Sequence, residues 1–366
     1  MNKKKIVFVF NSANDTRCMK RVEEFVENGY DVDVYAFDRG SKVVATSKNF
    51  QVQILGKHDI SMSYLKRFFI IRKCLMKLFE KYNNQDVIYF LFFFDVAFVG
   101  HLISNKPYIY ELSDMPYSGI KNSLVRGLFE RADRHIIKNS FLTTLTSEGF
   151  IEYLFRDNAP SNYVVVPNRV DKRLLDIPYV EQQIDINHLR FSFVGGFRYK
   201  STLDFIFYAA KNFPQHTFSV DGNIICLEEE LKQIASEYSN VHLNGIFKYP
   251  ADSPGIYERT DIVLANYDAD SINAQYAEPN KLYEAMFFHT PIIVSSGTYL
   301  AKRVAQLGIG FDVNSNSEKE VVSLINGLTE DIIRKMKDNC KKIPVSDVVN
   351  ENPKLFGYID RHLNLN

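Results

Sequence analysis

A chain of 366 residues is longer than one ordinary core and fits two domains of roughly 180 residues each. Its 46% hydrophobic and 24% charged content is that of a globular protein and excludes wholesale disorder. Basic and acidic side chains balance at 44 each, which argues against nucleic-acid binding as the main task; residues 1–188 hold 26 against 22, and residues 189–366 hold 18 against 22.

The elements follow in chain order. Residues 6–10 form a short apolar run ending in polar Asn11 and Ser12, too brief for a signal peptide and suited to a buried first strand. Cys18 to Tyr30 has helical spacing and a capping Gly29, and DVDVYAF is the next strand, so a βαβ crossover and a parallel sheet are predicted. FQVQIL is a strand, residues 61–82 a helix, DVIYFLFF and PYIYELSD strands, SLVRGLFERADRHIIKN a helix, FLTTLTS a strand, EGFIEYLFRDN a helix and YVVVPN a strand. Residues 171–188 have no clear period. The alternation then restarts at LRFSFVGG and runs through STLDFIFYAAKNF, HTFSVDG, LEEELKQIASEY, NVHLNG, DIVLANY, EPNKLYEAMFFH, TPIIVSS, TYLAKRVAQLG and GIGFDV to closing helices. The expected fold is α/β, with two doubly wound Rossmann-like parallel-sheet domains facing across a cleft. The predicted boundaries are 1–176, a linker at 177–188, 189–342, and a tail or helix at 343–366 packing back on the first domain.

The four cysteines, Cys18, Cys74, Cys226 and Cys340, form no metal or disulfide pattern, which favours a reducing compartment. No apolar run makes a convincing membrane span, so a cytoplasmic location is expected.

Three segments carry candidate chemistry. In residues 277–297, Pro279 suits a helix start whose free N–H groups and positive dipole end favour a diphosphate. Glu278, Asn280, Lys281 and Glu284 cluster there, with Lys281 placed to neutralise a phosphate and Glu284 to accept from ribose hydroxyls. The same pattern also reads as an amphipathic helix with Leu282, Ala285 and Met286 inward. In VGGFRYKST, Gly195 and Gly196 let backbone approach a ligand, while Arg198 and Lys200 offer cations to a leaving diphosphate; the alternative is a solvated turn. In the first half, Asp15 and Arg17 either hold an acceptor or shape the loop, with Asp15 equally suited to cap the following helix. Glu111 and Asp114 end a strand at the same edge, where a carboxylate orients or deprotonates an acceptor hydroxyl. Asp95 is a further acid, in a turn or in the site. Residues 62–82 carry six basic side chains beside an apolar face, suited to an anionic membrane surface or to packing on the sheet with the charges solvated.

EPNKLYEAMFFHTPIIVSSG resembles the C-terminal signature of GT-B glycosyltransferases, especially glycosyltransferase family 4. NDTRCMKRVEEFVENGYDVDVYAF, VVVPNRVD and NVHLNGIFKYPADSPGIYERTDIVLANYD resemble other family segments in the same order. The resemblance implies a GT-B enzyme that moves a hexose-like sugar from a nucleoside diphosphate to a saccharide, lipid-linked or not. It also implies retention of configuration, no metal, and no cofactor beyond the donor itself. Cell-surface polysaccharide synthesis at the inner membrane face is the implied setting. Glu284 takes the position of the family's ribose-binding Glu, and Arg198 and Lys200 those of its diphosphate-binding cations. Phe247 lies in the segment that contacts the base. The family's first Glu falls on Tyr276, leaving Glu278 or nothing in its place, and His289 and Thr290 replace a usual Gly and its neighbour. A family His has its nearest counterpart in His101. Rival readings are a GT-B nucleotide-sugar epimerase or hydrolase, and a catalytically silent nucleotide-sugar-binding subunit.

Overall fold

The structure, a computed structural model, describes residues 4–40, 47–59 and 61–363. The chain divides into two compact units. Unit 1 comprises Met1–Val166 and Asn352–Asn366, and unit 2 comprises Pro167–Glu351, so residues 177–188 fall inside unit 2.

Unit 1 is built on seven parallel strands: β1 (Lys5–Phe10), β2 (Val32–Asp38), β3 (Val52–Lys57), β4 (Val87–Phe92), β5 (Tyr108–Leu112), β6 (Leu142–Leu145) and β7 (Tyr163–Val165). Their spatial order is β3-β2-β1-β4-β5-β6-β7, so the winding reverses between β1 and β4. The crossovers run through α1 (Thr16–Glu27), α2 (Tyr64–Lys81), α3 (Phe94–Ile103), α4 (Ser123–Asn139) and α5 (Glu148–Phe155). β1 and β4 are buried on both faces, which is why they read as continuous apolar runs. Phe8 stacks on Phe90 with ring centroids 4.9 Å apart, and Phe25 of α1 meets Phe8 edge-on at 5.2 Å. The C-terminal helix Pro353–Leu363 closes this core, with Phe356 against Phe25 at 5.1 Å and Tyr30 donating to Asp360.

Unit 2 repeats the plan with six parallel strands, β8 (Arg190–Val194), β9 (Thr217–Asp221), β10 (Val241–Gly245), β11 (Ile262–Ala265), β12 (Ile292–Ser295) and β13 (Gly310–Val313). Their order is β10-β9-β8-β11-β12-β13, and the reversal lies between β8 and β11. Its crossovers include α6 (Lys200–Asn212), α7 (Glu228–Glu237), α8 (Ser253–Glu258), α9 (Ile272–Tyr276) and α10 (Asn280–Phe287). The two doubly wound parallel sheets predicted from the restart of the pattern are both present. In such sheets, ligands bind beyond the carboxyl ends of the strands, where the order reverses.

One element differs from the sequence reading. Residues 87–103 look like a single apolar run, but the chain turns at Phe93, with φ 68°, and continues as α3. The helix is apolar on nearly every side because it is sandwiched between neighbours, packing on β4, α2 and α4.

Candidate functional site

The reversal point of unit 2 gathers residues from three loops. Val194 ends β8, and the chain passes through Gly195 and Gly196 to Arg198. Gly195 takes φ +120° and donates its N–H to the Asp221 carbonyl at 2.7 Å. Close approach explains the next glycine in space. A Cβ on Gly222, at φ +145°, would sit 2.0 Å from the Gly195 carbonyl oxygen. From the other side comes α10, whose N-cap is Pro279, with no side chain bonding its first N–H groups. Lys281 extends from its first turn to the β8 loop. A Cβ on Gly195 would lie 3.1 Å from Lys281 Nζ, and one on Gly196 would lie 3.3 Å from Arg198 Nη2.

Lys281 is 6% exposed, and among the described residues its ammonium has no ion pair. It lies 4.6 Å from the Phe193 ring centroid and 5.8 Å from that of Tyr267. Burial pushes its pKa down to about 8, against the pull of Glu284 and helped by the positive charge of Arg198. Glu284, one turn along, is 4% exposed and accepts from Tyr257 Oη at 2.9 Å and Asn280 Nδ2 at 3.0 Å. Burial raises its pKa, although Lys281, Tyr257 and Asn280 all oppose the rise. Both members of this lysine–glutamate couple are thus shifted toward neutrality, and their mutual attraction is weaker than their desolvation. A polyanion beside Lys281 and Arg198, with hydroxyls on Glu284, supplies what the couple lacks.

Several predicted residues are engaged elsewhere. Lys200 begins α6, but its ammonium turns along the helix to Asp204, 2.6 and 2.8 Å from the two oxygens. A four-residue spacing on one helix face brings these two side chains together. Glu278 is buried and accepts from Tyr283 Oη at 2.6 Å and Arg303 Nε at 3.0 Å, so both oxygens are occupied within the fold. Glu111 is 1% exposed and accepts from Arg21 Nε at 3.0 Å, Thr144 Oγ1 at 3.3 Å and Ser113 Oγ at 3.4 Å. A carboxylate held by an internal guanidinium is a structural ion pair, so the Glu111 oxygens are engaged within the fold. Asp15 caps α1, accepting from the backbone N–H of Arg17 and Cys18 at 3.0 and 3.1 Å. Arg17 reaches Asp114, which remains exposed, at 3.8 Å. His101 is not at this edge at all. It ends α3 beside Tyr108, the first residue of β5, with Nδ1 3.1 Å from the Tyr108 hydroxyl. Phe247 follows β10 and packs half-buried against the unit 2 core, next to exposed Ile246.

Three further residues of the unit 2 site had no distinct signal in the sequence. Tyr257 holds Glu284 from α8. Tyr267 flanks Lys281 and Tyr199. Asn266, just past β11, is fully buried, with neither amide atom partnered. Extending the pairing of Val263 with Ser192 sets it beside Gly195. Only a residue-by-residue register for β8 and β11 would have found it.

The basic helix 62–82 is α2, which buries Ile71, Leu75, Leu78 and Phe79 on the sheet side. Leu65, Phe69 and Met76 lie exposed on one stripe together with Arg72 and Lys73. A groove of about 1080 Å³ runs between this face and residues 103–106. No described helix is long and apolar enough to cross a membrane.

No family model and no curated protein matches the chain. Among solved structures it is similar over 99% of both chains to the sucrose-phosphate synthase (tll1590) of Thermosynechococcus elongatus, with TM-score 0.70 and 14% identity. Similarity to Anabaena Alr3699/HepE in complex with UDP-glucose covers 99% of this chain and 100% of the other, with TM-score 0.68 and 16% identity. The UDP-GlcNAc 2-epimerase of Neisseria meningitidis, bound to UDP-GlcNAc, matches over 98% of this chain and 100% of its own, at TM-score 0.61 and 15% identity. At full coverage of both Rossmann-like units, these likenesses establish that the chain has the GT-B fold.

Proposed function

We propose that the protein is a glycosyltransferase that binds a nucleoside-diphosphate sugar on unit 2 and transfers the sugar to a saccharide acceptor. The observation that carries this reading is the buried, unpaired Lys281 ammonium beside Arg198 at the reversal point of the β8–β13 sheet. Breaking the glycosidic bond leaves negative charge on the diphosphate. Two preplaced cations and the free N–H groups of α10 stabilise that charge as it develops. Glu284, held by Tyr257 and Asn280, accepts from the ribose hydroxyls. Exposed Ile225 and Ile246, beyond β9 and β10, present apolar surface to the base. Retention of configuration, a cell-surface polysaccharide as product and work at an anionic membrane through α2 belong to the same proposal. Anabaena Alr3699/HepE has been solved in complex with UDP and with UDP-glucose, which supports starting the donor screen with uridine nucleotides.

The test is thermal unfolding with UDP, GDP and their sugars, followed by transfer assays with the donor that stabilises. A selective ligand at a hundred times its Kd raises stability by about 2.7 kcal/mol. Arg198→Ala and Glu284→Ala are expected to remove that gain, and unchanged turnover in both variants would sink the assignment. A second reading, a nucleotide-sugar epimerase, is favoured by the similarity to the 2-epimerases. Conversion of the donor to an epimer with no acceptor present would select it.

A further inference from the structure

Unit 1 carries a second polar cluster, at the carboxyl ends of β1, β2 and β3, and it takes in Asp95. Asn11 directly follows β1, Arg39 lies just past β2 and His58 directly follows β3. Arg67 stands in the first turn of α2, and Asp95 in that of α3. The hydrogen-bond chain through it has a fixed direction. Asp95 Oδ2 lies 3.4 Å from Asn11 Nδ2, and a carboxylate accepts, so the amide nitrogen faces Asp95. The amide oxygen then faces His58 Nε2 at 3.1 Å and accepts from it. The neutral imidazole therefore holds its proton on Nε2 and presents a bare lone pair at Nδ1. That Nδ1 is buried and has no partner.

The cations around it are equally unsatisfied. Arg39 and Arg67 each have a buried Nε with no acceptor, and among the described residues neither meets a carboxylate within ion-pair distance. Arg21, Arg190, Arg259 and Arg303 all meet one. Arg67 instead lies over the Tyr64 ring, 4.9 Å from its centroid. Burial, together with the positive charges of Arg39 and Arg67, pushes the His58 pKa down against the pull of Asp95, so His58 is neutral near pH 7. The cluster thus offers two buried guanidinium Nε–H groups without acceptors and one lone pair without a donor. A carboxylate supplies acceptors but no proton. A sugar hydroxyl supplies a donor but no charge. A phosphoryl monoester in its monoanionic form supplies both, through its oxygens and its P–OH.

We propose that Arg39, Arg67 and His58 form a binding site for a phosphate monoester, with the guanidiniums gripping its oxygens and His58 Nδ1 accepting from its P–OH. Calling that ligand the acceptor substrate rests on the transferase reading above; the site itself does not. The group belongs either to a sugar phosphate or to a lipid phosphate, which share this chemistry.

Isothermal titration of the full chain at pH 6.5, in a buffer free of phosphate, tests the proposal with inorganic phosphate, glucose 6-phosphate, dodecyl phosphate and sulfate. The three phosphates are expected to bind at least fivefold tighter than sulfate, which lacks the proton at this pH. Arg39→Gln and Arg67→Gln should each weaken phosphate binding at least tenfold, while Arg67→Lys, which keeps the charge and loses the fork, should fall between. A preference for dodecyl phosphate or for glucose 6-phosphate supports the site and names the source. Sulfate binding as tightly as phosphate, or glutamine variants that bind as the parent does, would overturn it. Should a glutamine variant not fold, the lysine variant and the sulfate comparison decide alone. UDP is titrated separately, so a chain that binds phosphate and no nucleotide would sink the donor reading and leave this one standing.

Discussion

Lys281 is held in the fold with a charge that its surroundings, Glu284 included, stabilise less than water does. Its pKa of about 8 against an ordinary 10.5 corresponds to a penalty on the order of 3 kcal/mol. Below about pH 8 the lysine is protonated both folded and unfolded, and the penalty is felt in full. Between 8 and 10.5 the folded chain has lost the proton while the unfolded chain keeps it, so the penalty shrinks as pH rises. Lys281→Met is therefore expected to raise the melting temperature at pH 7, with the gain fading toward pH 10, and to abolish stabilisation by UDP. Thermal unfolding across pH, with and without UDP, reads both effects. A variant that is less stable than the parent at pH 7 and still responds to UDP would contradict the argument. Tyr257 is the counterpart on the acidic side. Tyr257→Phe removes one donor from a buried carboxylate, which costs about 1–3 kcal/mol. The same change should weaken nucleotide binding, because Glu284 then loses its orientation. Chemical denaturation and UDP titration measure the two consequences on the same sample.

At the scale of elements, the glycine loop after β8 exists because the chain after β9 leaves room for it. Gly222→Ala would drive a Cβ into the Gly195 carbonyl, in a backbone conformation that side chains rarely adopt. The predicted result is a loss of several kcal/mol and of nucleotide binding together, since the 195–198 segment must move. Urea unfolding and UDP titration check it, and Gly29→Ala is the control. Gly29 also has positive φ, but a Cβ there meets nothing within 4 Å. Such couplings mark what was legible in the sequence and what was not. The two sheets were legible, because buried parallel strands such as Ile6–Phe10 and Phe191–Val194 read as apolar runs punctuated by polar or glycine-bearing loops. Lys281 and Glu284 were legible as neighbours on one helix start. The fates of Glu111 and Glu278 were not, because Arg21 and Arg303 stand 90 and 25 residues away and are brought near only by the crossovers. Nor was α3, whose all-round apolarity erased the 3.6-residue period that separates a buried helix from a strand.

For the whole molecule, a net charge of zero gives no long-range pull toward an anionic surface, so any membrane attraction must be local. The α2 stripe has that local character. Arg72, Lys73 and Lys77 line a groove with Phe69 and Met76, and Lys106 adds a cation from the adjoining segment. On α4, Leu124 and Leu128 are also exposed. Basic residues near an anionic leaflet contribute about 1 kcal/mol each, and exposed apolar side chains add burial that salt does not screen. The triple change Arg72→Gln, Lys73→Gln and Lys77→Gln should therefore lower partitioning onto phosphatidylserine-containing vesicles at least tenfold at low salt. Phe69→Asp should weaken it further at high salt, where only the apolar part of the attraction survives. Co-sedimentation at two ionic strengths separates these contributions. Binding that is equal on neutral and anionic vesicles, or unchanged by the triple substitution, would show that the α2 stripe is only the solvated side of a helix packed on its sheet.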